Sequence, residues 1–376
     1  MGCTISIITS GLKREPTETV AEMNQQTAEP IRHQPLHPSV RPLLDPEYVT
    51  FHDRYVQYVE PEQLKPWNPN VRTRYTWPYA GSPIVEVGSV KDIRPCENFD
   101  IRLFSPVGEP PSEGWPLVIW FHGGGFAGGN IDSDNDFCAL ACRDVECVVA
   151  NVDYRLAPED PFPAAVEDVA EVLRWANSDE GAFEGNIDRS RIAIAGASAG
   201  GNLAAVGALI AVEMSISIAV QVLVVPVTDN TATLQSWWSS HPHAPWLTAP
   251  RMTFYRNLYL QGDGLDRDWK ASPIFAPKEL IARLPRTWLA IAGQDMLSIE
   301  GLAYAEILKA AGVETQVTVY DGMPHGMMAL SGKTNQKCGS RCLRVANVNA
   351  GVLSKGRQTK TDIIEVLQRC FHGSAS

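Results

Sequence analysis

Arg191-Ile192-Ala193-Ile194-Ala195-Gly196-Ala197-Ser198-Ala199-Gly200-Gly201-Asn202-Leu203-Ala204-Ala205 passes from an apolar run to a small-residue run across one serine. The first part predicts a short buried strand and the last a helix packed closely against it, so the chain must turn sharply at Ser198. A serine hydroxyl is a poor nucleophile at its ordinary pKa and needs an exposed position beside a base. Glycines flank such a turn because a Cβ at Gly196 or Gly200 would collide with the crossing backbone. The pentapeptide Gly196-Ala197-Ser198-Ala199-Gly200 is weak evidence by itself, and its partners elsewhere in the chain decide its meaning.

Upstream, Leu117-Val118-Ile119-Trp120-Phe121 ends in His122-Gly123-Gly124-Gly125-Phe126. Consecutive glycines leave backbone N–H groups unshielded, able to stabilise negative charge building on a carbonyl oxygen. Loss of one such donor costs about 2.7–4 kcal/mol in a serine hydrolase. Gly124 and Gly125 are the candidate donors, with the amide of Ala199 at the helix N-terminus as the third. The structural alternative is a glycine turn that only lets strand and loop pack closely.

The base expected after such an elbow is a late histidine, with the acid between them in chain order. His325, in Tyr320-Asp321-Gly322-Met323-Pro324-His325-Gly326, follows the strand-like run Thr315 to Val319, whereas His372 lies in a polar tail. For the acid, Asp295 stands just past the β-like run Thr287 to Ala292. A carboxylate there can fix the imidazole tautomer and stabilise the imidazolium. Asp321 and Glu300 compete for that role. Asp321 reads as a strand-ending turn residue, and Glu300 as a first-turn helix residue favoured by the macrodipole.

From about Asp45 to about Ala329 the sequence resembles the hormone-sensitive-lipase-like branch of the α/β-hydrolases. Three signatures carry the resemblance: His122 to Phe126, Asp153-Tyr154-Arg155-Leu156-Ala157-Pro158-Glu159, and Gly196 to Gly201 with the trailing Asn202-Leu203-Ala204. It implies an α/β-hydrolase fold, with a mainly parallel central sheet, helices on both faces and a helical cap. It implies a serine carboxylesterase that needs neither metal nor cofactor. One departure is Ala197, where many members carry aspartate; the local support of the oxyanion loop is expected to differ, and the chemistry to survive.

Alternating segments support the same α/β class. Strands are expected near Asp100 to Phe104, Pro116 to Phe121, Cys147 to Val152, Arg191 to Ala195, Ala219 to Val225, Thr287 to Ala292 and Thr315 to Tyr320, with helices over Ala164 to Trp175, Leu203 to Val212 and Gly301 to Ala311. Residues 1–44 read as a polar lead-in. Residues 45–376 form the hydrolase domain, with a cap drawn from about 45–80 and 228–272. The second cap segment carries Trp237, Trp238, Trp246, Phe254, Tyr255 and Tyr259. Trp237, Trp238, Trp246 and Tyr255 are the candidate substrate-binding residues, against the alternative of ordinary cap packing. The Asp153 to Glu159 segment is expected to brace a loop. Residues 333–356 read as a disordered insertion before a closing helix over Asp362 to Arg369.

The 376 residues are 44% hydrophobic and 20% charged, enough for one large core. A formal net charge of −11 argues against nucleic acid, which requires clustered Lys and Arg. The eight cysteines include no C-x-x-C pair, so free thiols in the cytoplasm are expected, with a Cys338 to Cys342 bridge as the alternative. No signal peptide or spanning helix is expected. Met1-Gly2-Cys3-Thr4-Ile5-Ser6 matches the myristoylation pattern, with Cys3 available for a second lipid. The expected partner is a small-molecule ester with a short acyl chain, with a homodimer left open. An acyltransferase or thioesterase would use the same residues. A non-catalytic receptor on the same fold would be expected to lack one of Ser198, Asp295 and His325.

Overall fold

The computed structural model describes residues 30–74, 84–330 and 353–373. Among them, eight strands form one sheet: β1 (Ser89–Ile93), β2 (Asp100–Ser105), β3 (Trp115–Phe121), β4 (Val148–Asp153), β5 (Ile187–Ala197), β6 (Val220–Val224), β7 (Thr287–Ala292) and β8 (Thr315–Tyr320). Their order is β1-β2-β4-β3-β5-β6-β7-β8. The pairs β1–β2 and β2–β4 are antiparallel, and every pair from β4 to β8 is parallel. All segments read as strands lie in this sheet. The addition is β1, an edge strand with only Ile93 buried, too exposed to carry a hydrophobic pattern.

The helices are α1 (Pro46–Arg54), α2 (Asn135–Val145), α3 (Ala164–Ala176), α4 (Asp179–Gly185), α5 (Ala199–Glu213), α6 (Ala249–Tyr259), α7 (Lys278–Ile281), α8 (Ser298–Ala310) and α9 (Ser354–His372). Alternation along β3 sends Leu117, Ile119 and Phe121 to the side packed by α3, α5 and α8. Val118 and Trp120 go to the other side, against α1, α2 and α9. Burial on both faces is why the inner parallel strands β3, β6 and β7 read as largely apolar runs, whereas the edge strand β8 is mixed. In α5 every residue except Glu213 is buried, as expected of a helix that is apolar all round.

The bounds of the lead-in and of the closing helix differ from the sequence reading, and β5, α5 and α8 each begin three or four residues earlier than read. The polar lead-in does not extend to residue 44: Val40 and Leu44 are buried, and the Asp45 amide donates to Gly322 O at 2.9 Å. Likewise, the closing helix begins at Ser354, inside the segment read as an insertion. Its basic first half disguised the helix, because Lys355 pairs with Asp45 and the buried Lys360 with Asp136, at 2.8 and 2.7 Å. The remainder of that insertion, Cys338 and Cys342, and the lipidation candidates Gly2 and Cys3 lie outside the described residues. Among the described residues, no helix is long and apolar enough to cross a membrane.

Cys138 and Cys142 sit one turn apart on α2, buried and unbridged. Burial pushes the Cys142 thiol up to about 12, which suits a packing role rather than a reactive one.

Candidate active site

The functional candidates gather at the carboxyl ends of adjacent parallel strands, where open α/β sheets present their ligand crevices. Ser198 links β5 to α5 with φ 58° and ψ −115°, a backbone conformation rarely adopted by residues with a side chain. Close approach fixes its neighbours. A Cβ on Gly196 would lie 2.3 Å from Gly200 O, and one on Gly200 would lie 2.0 Å from Phe121 O.

His325, in the loop after β8, has Nε2 2.7 Å from Ser198 Oγ and Nδ1 2.7 Å from Asp295 Oδ2. Asp295 is 1% exposed and accepts only donors, so Nδ1 carries the proton and Nε2 is free to accept from the serine hydroxyl. The two loops are tied together by Gly293 N donating to Tyr320 O at 3.0 Å and Gln294 N to Met323 O at 2.9 Å. The competing residues lie elsewhere. Glu300 is buried, accepts the amides of Thr228 and Asp229 and the Trp238 indole, and is pushed up to about 8 by that burial. Asp321 occupies an exposed turn, and His372 Nε2 meets Val145 O at the end of α9.

The glycine loop after β3 approaches the same serine. A Cβ on Gly123 would lie 3.2 Å from Ala197 O and 3.6 Å from Ser198 Cβ. Gly124 and Gly125 adopt φ 136° and 62°, and their Cβ positions are filled by Gly128 O and the Tyr255 ring. Among the described residues, the amides of Gly124, Gly125 and Ala199 donate to no protein acceptor. They are the kind of free donor that a developing oxyanion needs.

The Asp153 to Glu159 segment braces this loop from behind. Tyr154 donates its hydroxyl to His122 O at 2.8 Å and stacks on the His122 ring at 4.4 Å between centroids. Arg155 then anchors the segment to α3. Its Nε lies 2.8 Å from Asp168 Oδ1 and its amide 2.8 Å from Asp168 Oδ2. Burial pushes the Asp168 carboxyl up, against the pull of Arg155. Asp168→Ala removes the buried partner and leaves Arg155 only the exposed Glu167, 3.0 Å from Nη2, so stability is expected to fall by about 3 kcal/mol. Urea unfolding monitored by circular dichroism checks this, and a loss of under ~0.5 kcal/mol would mean that the pair is dispensable.

A narrow cavity opens on Ser198 and His325, lined also by Gly125, Phe126, Val227, Asn230, Trp246, Leu247, Arg251, Met252, Tyr255 and Arg256. Its free volume is about 30 Å³. The segments read as cap meet above it. Tyr255 donates to Glu62, Arg251 Nε lies 3.1 Å from Gln63 Oε1, and the Trp67 and Phe254 rings are 6.4 Å apart.

Of the four aromatic candidates, Trp246 and Tyr255 line the cavity and Trp237 and Trp238 do not. The reason is polar anchoring. Trp237 Nε1 donates to Asp229 Oδ2 at 2.7 Å, while the 2%-exposed Trp238 turns its indole N–H toward Glu300 and its face toward Arg256. The sequence reading did not find Arg251 and Arg256. Both lie on α6 inside the segment chosen for its aromatics, and their charge was the available signal.

The α/β-hydrolase fold family matches residues 118–329. An AB hydrolase superfamily protein of Schizosaccharomyces pombe is 38% identical over 375 residues, which is 93% of this chain and 100% of that protein. An arylesterase of Saccharolobus solfataricus is 32% identical over 258 residues, 64% of this chain and 78% of its own length. Among solved structures, a hyperthermophilic esterase from Pyrobaculum calidifontis is similar with a TM-score of 0.71 and 28% identity, covering 89% of this chain and 98% of that one. With an elbow serine, a glycine loop and a late histidine on this sheet, the chain belongs to the α/β-hydrolase fold family, in its hormone-sensitive-lipase-like carboxylesterase branch.

Proposed function

We propose that this protein hydrolyses short-chain acyl esters of small molecules through an acyl-enzyme on Ser198. The observation that carries the proposal is His325 bridging Ser198 and Asp295 with two 2.7 Å contacts at the floor of a narrow cavity. His325 Nε2 takes the hydroxyl proton as Ser198 Oγ bonds to the ester carbonyl carbon. The carbonyl oxygen becomes an oxyanion held by the amides of Gly124, Gly125 and Ala199. Collapse breaks the bond to the alcohol oxygen, which leaves with the proton from His325. Water then attacks the acyl group, giving its proton to the same imidazole, and the second collapse releases the acid and restores Ser198.

Within the segments 45–80 and 228–272, the described residues act together as the cap. Their contacts through Glu62, Gln63, Trp67 and α6 make one cover over the serine, and the small free volume beneath favours short acyl groups. Two measurements test the proposal. A fluorophosphonate probe should label the protein at Ser198, as read by peptide mass. In a 4-nitrophenyl ester series, kcat/KM should peak between acetyl and butyryl. Absence of labelling would overturn the nucleophile, and a maximum at long acyl chains would overturn the chain-length assignment.

A further inference from the structure

The cavity is electrically one-sided. Among the described residues, none of those lining it is acidic and two are arginines, in a chain whose formal net charge is −11. The carboxylate that meets this wall, Glu62, is taken up by the Tyr255 hydroxyl. Arg251 is 3% exposed. Among the described residues its guanidinium meets only neutral acceptors, with Nη1 on Trp246 O at 2.7 Å, Nε on Gln63 Oε1 at 3.1 Å and Nη2 on Gln34 Oε1 at 3.5 Å, while stacking on Trp246 at 4.2 Å. Each terminal nitrogen keeps a second N–H beyond these bonds. Arg256 is half-buried and gives Nη1 to Asn230 O and Ala232 O at 2.7 and 2.8 Å. Among the described residues, no carboxylate lies within ion-pair distance of either arginine. Asp229, Glu300 and Asp266 are felt by Arg256 only from farther away.

A buried cation without a counter-ion is costly, and a protein usually pairs it. The position of Arg251 sharpens the point. It occupies the first turn of α6, where the helix dipole already disfavours a cation and where no acidic residue compensates. Both features place positive potential on the wall of the cavity that holds Ser198. We propose that the substrate supplies the missing negative charge: the ester carries a second group, an ionised carboxylate, a few atoms from the scissile carbonyl. Arg251 is its principal recognition residue, with Arg256 adding to the field. This rests on Ser198 being the nucleophile of ester cleavage. The guanidinium fork can hold either a carboxylate or a phosphate, and the small free volume favours the smaller, planar carboxylate.

The test uses the full-length protein and two matched ester pairs, followed by chromatography of the released acid and alcohol. Monoethyl succinate against ethyl pentanoate places the charge on the acyl side, and 3-acetoxybenzoate against 3-tolyl acetate places it on the alcohol side. In at least one pair, kcat/KM for the charged ester should exceed that for the neutral one by about tenfold or more, the scale of a charged hydrogen bond. Raised salt should shrink the preference. Arg251→Gln should reduce that ratio about tenfold through KM of the charged ester, and Arg251→Lys should keep part of it. Should the glutamine variant not fold, Arg256→Gln and Arg251→Lys still report on the charge dependence of the ratio. Ser198-dependent turnover of neutral esters with no preference in either pair would overturn the anion assignment and leave the hydrolase standing. An equal fall for both members of a pair in Arg251→Gln would make the residue a brace of the cap and overturn it too. Absence of Ser198-dependent turnover of all four esters would overturn the hydrolase reading itself.

Discussion

Ser198→Ala should lower kcat by about 10⁶-fold on the best 4-nitrophenyl ester while leaving the protein folded, because the three-residue unit fails as a whole when its nucleophile is removed. The magnitude follows from how the site divides its work. Amides at Gly124, Gly125 and Ala199 and the walls of the cavity remain, so a residue of about 10³–10⁴ over water survives from charge stabilisation and positioning alone. The covalent route is lost. The folded state should tolerate the change, since among the described residues Oγ hydrogen-bonds to His325 alone and the tightest approaches at Gly196 and Gly200 are to backbone.

The same position predicts a stability effect of opposite sign. Ser198 holds φ 58° and ψ −115°, a region open to glycine and costly, by about 1–3 kcal/mol, for residues with a Cβ. Ser198→Gly should therefore be as inactive as the alanine variant yet more stable than the parent, read as a higher midpoint in urea. A parent-like rate in the alanine variant would show that another group carries the nucleophile. A lower midpoint in the glycine variant would show that the elbow stores no strain.

What could be read from sequence and what could not divides along a physical line. Ser198 and His122 to Gly125 were legible because the geometry they need is enforced by immediate neighbours, and His325 because chain order after the elbow left few histidines to choose from. Gly196 and Gly200 are demanded within a few residues of the serine, and Gly123 to Gly125 stand beside one another. Strands β3 and β7 and the second half of β5 were legible for a similar reason, since burial on both faces leaves apolar runs. Asp295 was chosen from three acids by its place after a strand. The contact with His325 itself depends on how the loops after β7 and β8 meet.

The walls of the cavity were not legible. Which residues of α6 face Ser198 depends on how that helix docks through Gln63 and Glu62, which lie far away in sequence. Aromatic content drew attention to Trp237 and Trp238, although Asp229 and Glu300 hold those rings away from the cavity. The arginines that do face it, Arg251 and Arg256, stand in the same segment and carry no pattern that marks them as cavity residues. Strand β1 and the first half of α9 were hidden for a related reason: their exposed or salt-bridged polar residues mask the few positions that are buried.

Asp295→Asn should lower kcat by about 10⁴-fold with little change in KM, because it alters the imidazole without touching the cavity. Asp295 does not line that cavity, and its Oδ2 receives the Nδ1 proton of His325 at 2.7 Å. An asparagine in the same space can turn its NH₂ toward Nδ1. The imidazole then keeps its proton on Nε2, facing the Ser198 hydroxyl donor to donor, and the base is lost although every atom stays near its place. The carboxylate's charge, which stabilises the imidazolium formed in each step, is lost as well. Fluorophosphonate labelling of Ser198 should slow in proportion, since it needs the same proton transfer. Asp321→Asn changes an exposed turn and should stay within a few-fold of the parent. A kcat within tenfold of the parent for Asp295→Asn, or a comparable collapse for Asp321→Asn, would mean that the histidine takes its orientation from another group.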